Sequence, residues 1–174
     1  MHFKYERVLD EEIIERDFTL GDIPGYLWTA ASATATNPAS VILLGHPRSQ
    51  DRLYPRLLAR AMTAARSGFA AVTIELPGSG RRPPLPEVDD ARRELREAVH
   101  GGLRPTPDVI DRLILPLTDE AVPEWQRTLD ALLSLPEISG PVGYSGGVIS
   151  IGVRLAVAEP RIVAASLFAG SFIP

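Results

Sequence analysis

Two short apolar runs constrain this chain more than anything else in it. Val41-Ile42-Leu43-Leu44-Gly45-His46 and Phe69-Ala70-Ala71-Val72-Thr73-Ile74-Glu75 are near-continuous where a half-solvated strand would alternate, the pattern of strands buried on both faces of a parallel sheet. Between them, residues 51–67 place Tyr54, Leu57, Leu58, Ala61, Met62 and Ala65 on one helical stripe, and Gly68 stands where that helix would end. Strand, helix and strand within about 35 residues make a βαβ unit, so a parallel sheet follows.

The same alternation continues to the end of the chain. Residues 140–144 read as the next strand, 146–159 as the helix after it, and 161–170 as one more buried strand. Ahead of the βαβ unit, residues 16–20 and 25–30 are short β-prone segments separated by Gly21-Asp22-Ile23-Pro24, and residues 31–40 read as a surface loop. Residues 121–135 carry Val122, Trp125, Leu129, Leu132 and Leu133 on one helical face, with Pro136 stopping it. The expected fold is α/β: a doubly wound, mostly parallel sheet with helices on both faces and antiparallel strands at the N-terminus, one domain over 174 residues.

Residues 81–118 change character, being rich in proline and in charges of both signs. Asp89 or Asp90 could cap a short helix ended by Gly101-Gly102, and Thr106-Pro107-Asp108 reads as a second helix start. The stretch is an insertion over the sheet, either a lid or a solvated connection. Within it, Arg81 and Arg82 could orient an anionic group, the alternative being paired surface charges.

Composition closes several routes. A formal net charge of −4 gives no basic face for nucleic acid. With no cysteine there is neither a disulfide framework nor a thiolate metal site. The charged N-terminus has no apolar core of a signal peptide, and no run approaches the roughly 18 apolar residues of a membrane span, so a cytoplasmic protein without membrane contact is expected. G-x-G-x-x-G is absent after the first buried strand, Lys4 is the only lysine and so cannot complete a Walker loop, and His46 and His100 have no ligand-like spacing. No cofactor and no metal are expected.

One short motif carries chemistry. Gly143-Tyr144-Ser145-Gly146-Gly147 matches G-x-S-x-G, in which a strand runs straight into a helix and mounts a serine at a strained backbone position. Ser145 is then the candidate nucleophile. The N–H of Gly146, at the positive end of the following helix, is a candidate oxyanion donor. The alternative is a tight glycine-rich turn with no chemical role.

Two further stretches join it: Leu43-Leu44-Gly45-His46-Pro47-Arg48-Ser49 and Glu75-Leu76-Pro77-Gly78-Ser79-Gly80. With these, the chain resembles the α/β-hydrolase superfamily, especially bacterial serine esterases of the dienelactone-hydrolase-like kind, from about residue 41 to 172. The resemblance implies hydrolysis of a small-molecule carboxylic ester or thioester. It aligns His46-Pro47 with the family's His-Gly turn, and since proline has no N–H the second oxyanion donor would be Arg48. Glu75 takes the place of an aspartate in the neighbouring turn.

The family orders its triad serine, acid, histidine along the chain. After Ser145 the only acid is Glu159 and there is no histidine; His2, His46 and His100 all precede it. His2 is expected in a frayed terminus, His46 in a structural role, and His100 at a helix end. A serine without an adjacent base is a weak nucleophile. The reading is therefore an N-terminal portion of a longer hydrolase, or a chain whose remainder another chain supplies, with a homo-oligomer or a missing C-terminal segment covering the strand at 161–170. A non-catalytic binding or assembly module of the same fold is the alternative.

Overall fold

The computed structural model describes residues 1–10 and 12–167. Three antiparallel strands open it: β1 (His2–Asp10), β2 (Ile13–Leu20) and β3 (Ile23–Ala30). The alternating core follows as β4 (Ala39–Gly45), α1 (Gln50–Arg66), β5 (Ala70–Ile74), α2 (Pro86–His100), α3 (Pro107–Leu133), β6 (Ile138–Gly146), α4 (Ile149–Ala158) and β7 (Ile162–Ser166). All seven strands form one sheet in the order β1-β2-β3-β5-β4-β6-β7, in which β5, β4, β6 and β7 run parallel. The mixed doubly wound sheet expected from the two apolar runs is present.

Those runs are buried because helices cover both faces. Successive side chains of a strand point to opposite faces. Along β4, Leu43 joins a core with Val72, Trp125, Leu129 and Leu155 under α3 and α4, whereas Leu44 joins Trp28, Leu57, Ala61 and Ala71 under α1. Burying each large apolar side chain contributes about 1.5–3 kcal/mol, so this two-sided packing is the main source of stability.

The structure corrects several expectations. His2 is not frayed but begins β1, where it pairs with Thr19; β1 is an exposed edge strand whose charges bond across the ladder, Arg7 to Glu15 at 2.8 Å and Arg16 to Glu6 at 2.7 Å. Asp89 and Asp90 do not cap α2, which starts at Pro86 behind Leu85. Residues 107–118 are continuous with residues 119–133 in a single helix, α3, despite Pro116 and Pro123 within it. An interior proline costs about 3 kcal/mol, and the buried face of Ile114, Leu117, Val122, Trp125, Leu129 and Leu132 outweighs two of them. Finally, α4 starts at Ile149 rather than at residue 146. Of the buried strand expected over 161–170, β7 forms Ile162–Ser166 but is largely exposed, with Val163 69% accessible; residues 168–170 and the Ser171–Pro174 end lie outside the described residues.

The N-terminal strands are tied to the core by one buried carboxylate. Glu15 accepts from Trp28 Nε1 at 2.6 Å, Tyr54 Oη at 2.6 Å and Arg7 Nε at 2.8 Å, so its charge is fully bonded within the fold. No helix among the described residues is long and apolar enough to cross a membrane.

Candidate active site

The connections fix where a ligand can sit. Helix α1 carries the chain from β4 to β5 on one side, while α2 and α3 carry it back past β4 to β6 on the other. The strand order therefore reverses between β4 and β6, and the loops leaving their carboxyl ends depart to opposite faces. In open α/β sheets the crevice so formed is where ligands bind. The two stretches singled out in the sequence, residues 45–48 and 143–147, meet there: Gly45 pairs with Gly146, and a Cβ on Gly147 would lie 2.8 Å from the Cα of Gly45.

Ser145 occupies a different position from the one its motif implies. It lies within β6, opposite Leu44 on one side and Ser166 on the other. The chain turns afterwards, at Gly146 (φ 80°) and Gly147 (φ 83°), and Val148 caps α4. Two consecutive glycines accept left-handed backbone that a serine accepts only under strain, so the bend forms behind Ser145. The N–H of Gly146 consequently belongs to the strand end and not to the first turn of the helix.

The Ser145 side chain faces α1, where it lines a cavity of about 700 Å³ with Ile42, Leu44, Arg60, Thr63 and Phe69. Arg60 reaches over from α1: its Nη2 donates to the Ser145 carbonyl at 2.6 Å and to Oγ at 3.1 Å, and its Nη1 to the Gly45 carbonyl at 3.1 Å. Burial lowers the pKa of this guanidinium from its ordinary value. Arg60 was not singled out from the sequence, although an arginine three residues after Leu57 within an apolar stripe is the signal that could have found it.

His46 clamps the neighbouring turn. It is 3% exposed, with Nε2 2.8 Å from the carbonyl oxygen of Ile74 and Nδ1 on the carbonyl oxygen of Arg48. Burial pulls its pKa below the usual value, so the neutral ring offers one proton to two carbonyls. Pro47 and Arg48 are exposed on the loop beyond. Below them the buried Glu75 carboxylate accepts from the Gln50 backbone N–H at 3.1 Å and from Ser79 Oγ at 2.5 Å, holding together the loops after β4 and β5.

The remaining candidates are scattered. His100 is the exposed last residue of α2, and His2 is exposed on β1. Glu159 is buried in an ion pair with Arg161, Oε1 to Nε 2.6 Å, which lowers its pKa. Tyr144, beside Ser145 but on the opposite face, packs edge-on against Trp125 with ring centroids 6.3 Å apart, and burial raises its pKa. Ser150, in the first turn of α4, is buried with an Oγ that has no hydrogen-bond partner among the described residues. No described imidazole bonds to Ser145, and no three histidines, aspartates or glutamates among the described residues gather as a metal site.

Comparison with known proteins places this arrangement in context. No family model and no curated protein sequence matches the chain. Solved structures do: a cold-adapted esterase from an Arctic intertidal metagenomic library aligns with a TM-score of 0.64 at 21% identity, covering 96% of this chain and 65% of that one. An acetyl xylan esterase from Paenibacillus sp. R4 aligns with a TM-score of 0.63 at 21% identity over 94% of this chain and 51% of that one. A glucuronoyl esterase from Solibacter usitatus gives 0.54 at 13% identity, over 94% and 50%. The chain thus spans 65% of the first structure's length and about half of the others.

Proposed function

We propose, taking as premise that this chain has the α/β-hydrolase fold, that it is the nucleophile-bearing part of a serine hydrolase acting on a small carboxylic ester or thioester. The observation that carries the reading is the G-x-S-x-G stretch at the carboxyl end of β6, bordering the crevice where the strand order reverses. Ser145 Oγ attacks the ester carbonyl, and the backbone N–H groups of Gly146 and Arg48 receive the developing oxyanion. The leaving alcohol or thiol departs with a proton, and water then releases the acyl group. Proton transfer requires an imidazole that no described residue brings to Ser145, so the reading requires one from a further segment or a second chain. It also requires Ser145 to exchange its Arg60 contact for that imidazole.

A second reading is favoured by that same contact. With Ser145 Oγ held against the α1 face by Arg60 and His46 engaged by two carbonyls, the turn also suits a non-catalytic binding module of this fold. Intact-mass spectrometry after treatment with a fluorophosphonate separates the two, followed by peptide mapping with Ser145→Ala and Ser150→Ala as controls. The hydrolase reading expects one adduct that maps to Ser145 and disappears in Ser145→Ala. An adduct that survives Ser145→Ala overturns it, and so does a folded protein that takes no adduct even together with the segment or second chain that brings the imidazole; either outcome favours the binding module.

A further inference from the structure

We propose that the cavity roofed by α2, between the loops that follow β4 and β5, is a binding site for a small organic polyanion bearing phosphate or clustered carboxylate groups. The cavity measures about 760 Å³, within the range of small-molecule sites. Four separate stretches of chain send arginines to it: Arg48 from the loop after β4, Arg52 from the first turn of α1, Arg81 from the loop after β5, and Arg92 and Arg96 from α2. Asp51 is the one carboxylate among its lining residues. Leu76, Pro77 and Leu117 give it an apolar floor.

What sets these arginines apart is how the rest of the molecule treats its own. The chain has more acids than bases, 22 against 18, and elsewhere among the described residues it pairs most of its arginines with carboxylates, Arg56, Arg104 and Arg127 being exceptions. Arg82 bonds both Glu124 oxygens at 2.6 Å; Arg112 holds Glu94 and Asp108, Arg161 holds Glu159 and Asp130, and Arg154 holds Asp119. At the cavity, Arg92 has Asp89 at 2.7 Å, but Arg48, Arg52, Arg81 and Arg96 make no ion pair among the described residues. The pair Arg81-Arg82 is therefore split in function: Arg82 is neutralised inside the fold and Arg81 is presented to the cavity. Five arginines round one concavity with a single carboxylate in its lining concentrate positive charge there in a protein of net charge −4.

Guanidinium groups bind phosphate and carboxylate through paired N–H donors, and converging arginines favour ligands with several such oxygens. The small volume and the chain's net charge of −4 favour a small molecule over a nucleic-acid strand. The cavity shares Arg48 with the proposed oxyanion hole, but the proposal does not rest on the hydrolase reading, because binding is measured without turnover.

Isothermal titration of the purified chain with pyrophosphate and with citrate, at low and at physiological ionic strength, tests it. Saturable binding is expected, weakened about tenfold or more in Arg81→Gln/Arg96→Gln and unchanged in Arg127→Gln, an exposed α3 arginine outside the cavity. The far-UV spectrum and melting temperature should stay as in the parent. If the double variant unfolds early, Arg52→Gln takes its place with the same expectation. Preference for pyrophosphate would assign phosphates and preference for citrate carboxylates, both supporting the site. Absence of saturable binding, or equal weakening by Arg127→Gln, overturns it.

Discussion

Arg60 and Ser145 are joined twice, once through the serine carbonyl at 2.6 Å and once through its hydroxyl at 3.1 Å, so a helix on one face of the sheet holds the last residues of its central strands. The third bond, to the Gly45 carbonyl, makes the guanidinium a bracket across β4 and β6. Hydrogen bonds from a charged donor contribute about 1.5–3 kcal/mol each at most and act here as one unit. Arg60→Met should therefore destabilise by about 2 kcal/mol in urea, and Ser145→Ala by well under that, since it removes only the hydroxyl contact. Equal losses would mean that the bracket acts through Oγ alone.

Gly147 and Gly68 share a φ of 83° but not their surroundings. Around Gly68 nothing lies within 4 Å of an added Cβ, whereas at Gly147 the Cβ would sit 2.8 Å from the Gly45 Cα and 2.9 Å from its carbonyl carbon. Gly68→Ala should cost about 1 kcal/mol, the strain of left-handed backbone alone. Gly147→Ala should cost at least about 2 kcal/mol more, because β4 and β6 must part to admit the methyl group. Thermal melts of the two variants read the difference directly.

Burial holds the folded-state pKa of His46 below 6.5, with Glu75 acting against the shift and Arg60 with it. Just below pH 6.5 the unfolded chain therefore takes up a proton that the folded chain refuses. The associated stability is present above the unfolded pKa and is lost as pH falls toward the folded one. Urea midpoints should drop between about pH 7 and pH 5, and His46→Asn should flatten that part of the profile. A profile identical in both proteins would remove His46 from the pH response.

Arg82 and Glu124 form a two-pronged ion pair, each 7% exposed. Losing one member strands a buried charge, so Arg82→Met or Glu124→Leu alone should cost about 3–5 kcal/mol. The double replacement, which restores an uncharged contact, should recover most of that loss. A double variant as unstable as the sum of the singles would show no coupling between the two residues.

How much of this was legible in the residues depends on what each signal measures. The runs at 41–46 and 69–75 are apolar because helices cover both faces, so β4, α1 and β5 follow from pattern alone. Strand β1 was hidden because an exposed edge holds itself with charges such as Arg7 and Glu6, which carry no period-2 apolar signal. Helix α3 was divided because Pro116 and Pro123 are local stop signals, overruled by packing that only the tertiary structure supplies. For the site, the motif located the right end of the right strand. It did not reveal which face Ser145 takes, because Gly146 and Gly147 can each absorb the bend, and the choice depends on Arg60 from a helix 85 residues away in sequence.

The pairing of β4 with β6 has a consequence in time as well as in space. Ser40 bonds the carbonyl of Gly140, 100 residues further along, so the centre of the sheet closes only after α1, β5, α2 and α3 have been made. Until then β4, apolar along its length, is the outer strand of a five-stranded intermediate with a row of unpaired amides. Contacts so distant in sequence form slowly, and an unpaired apolar edge is a surface on which other copies can pair. A central strand of the native sheet is thus, until β6 arrives, an edge.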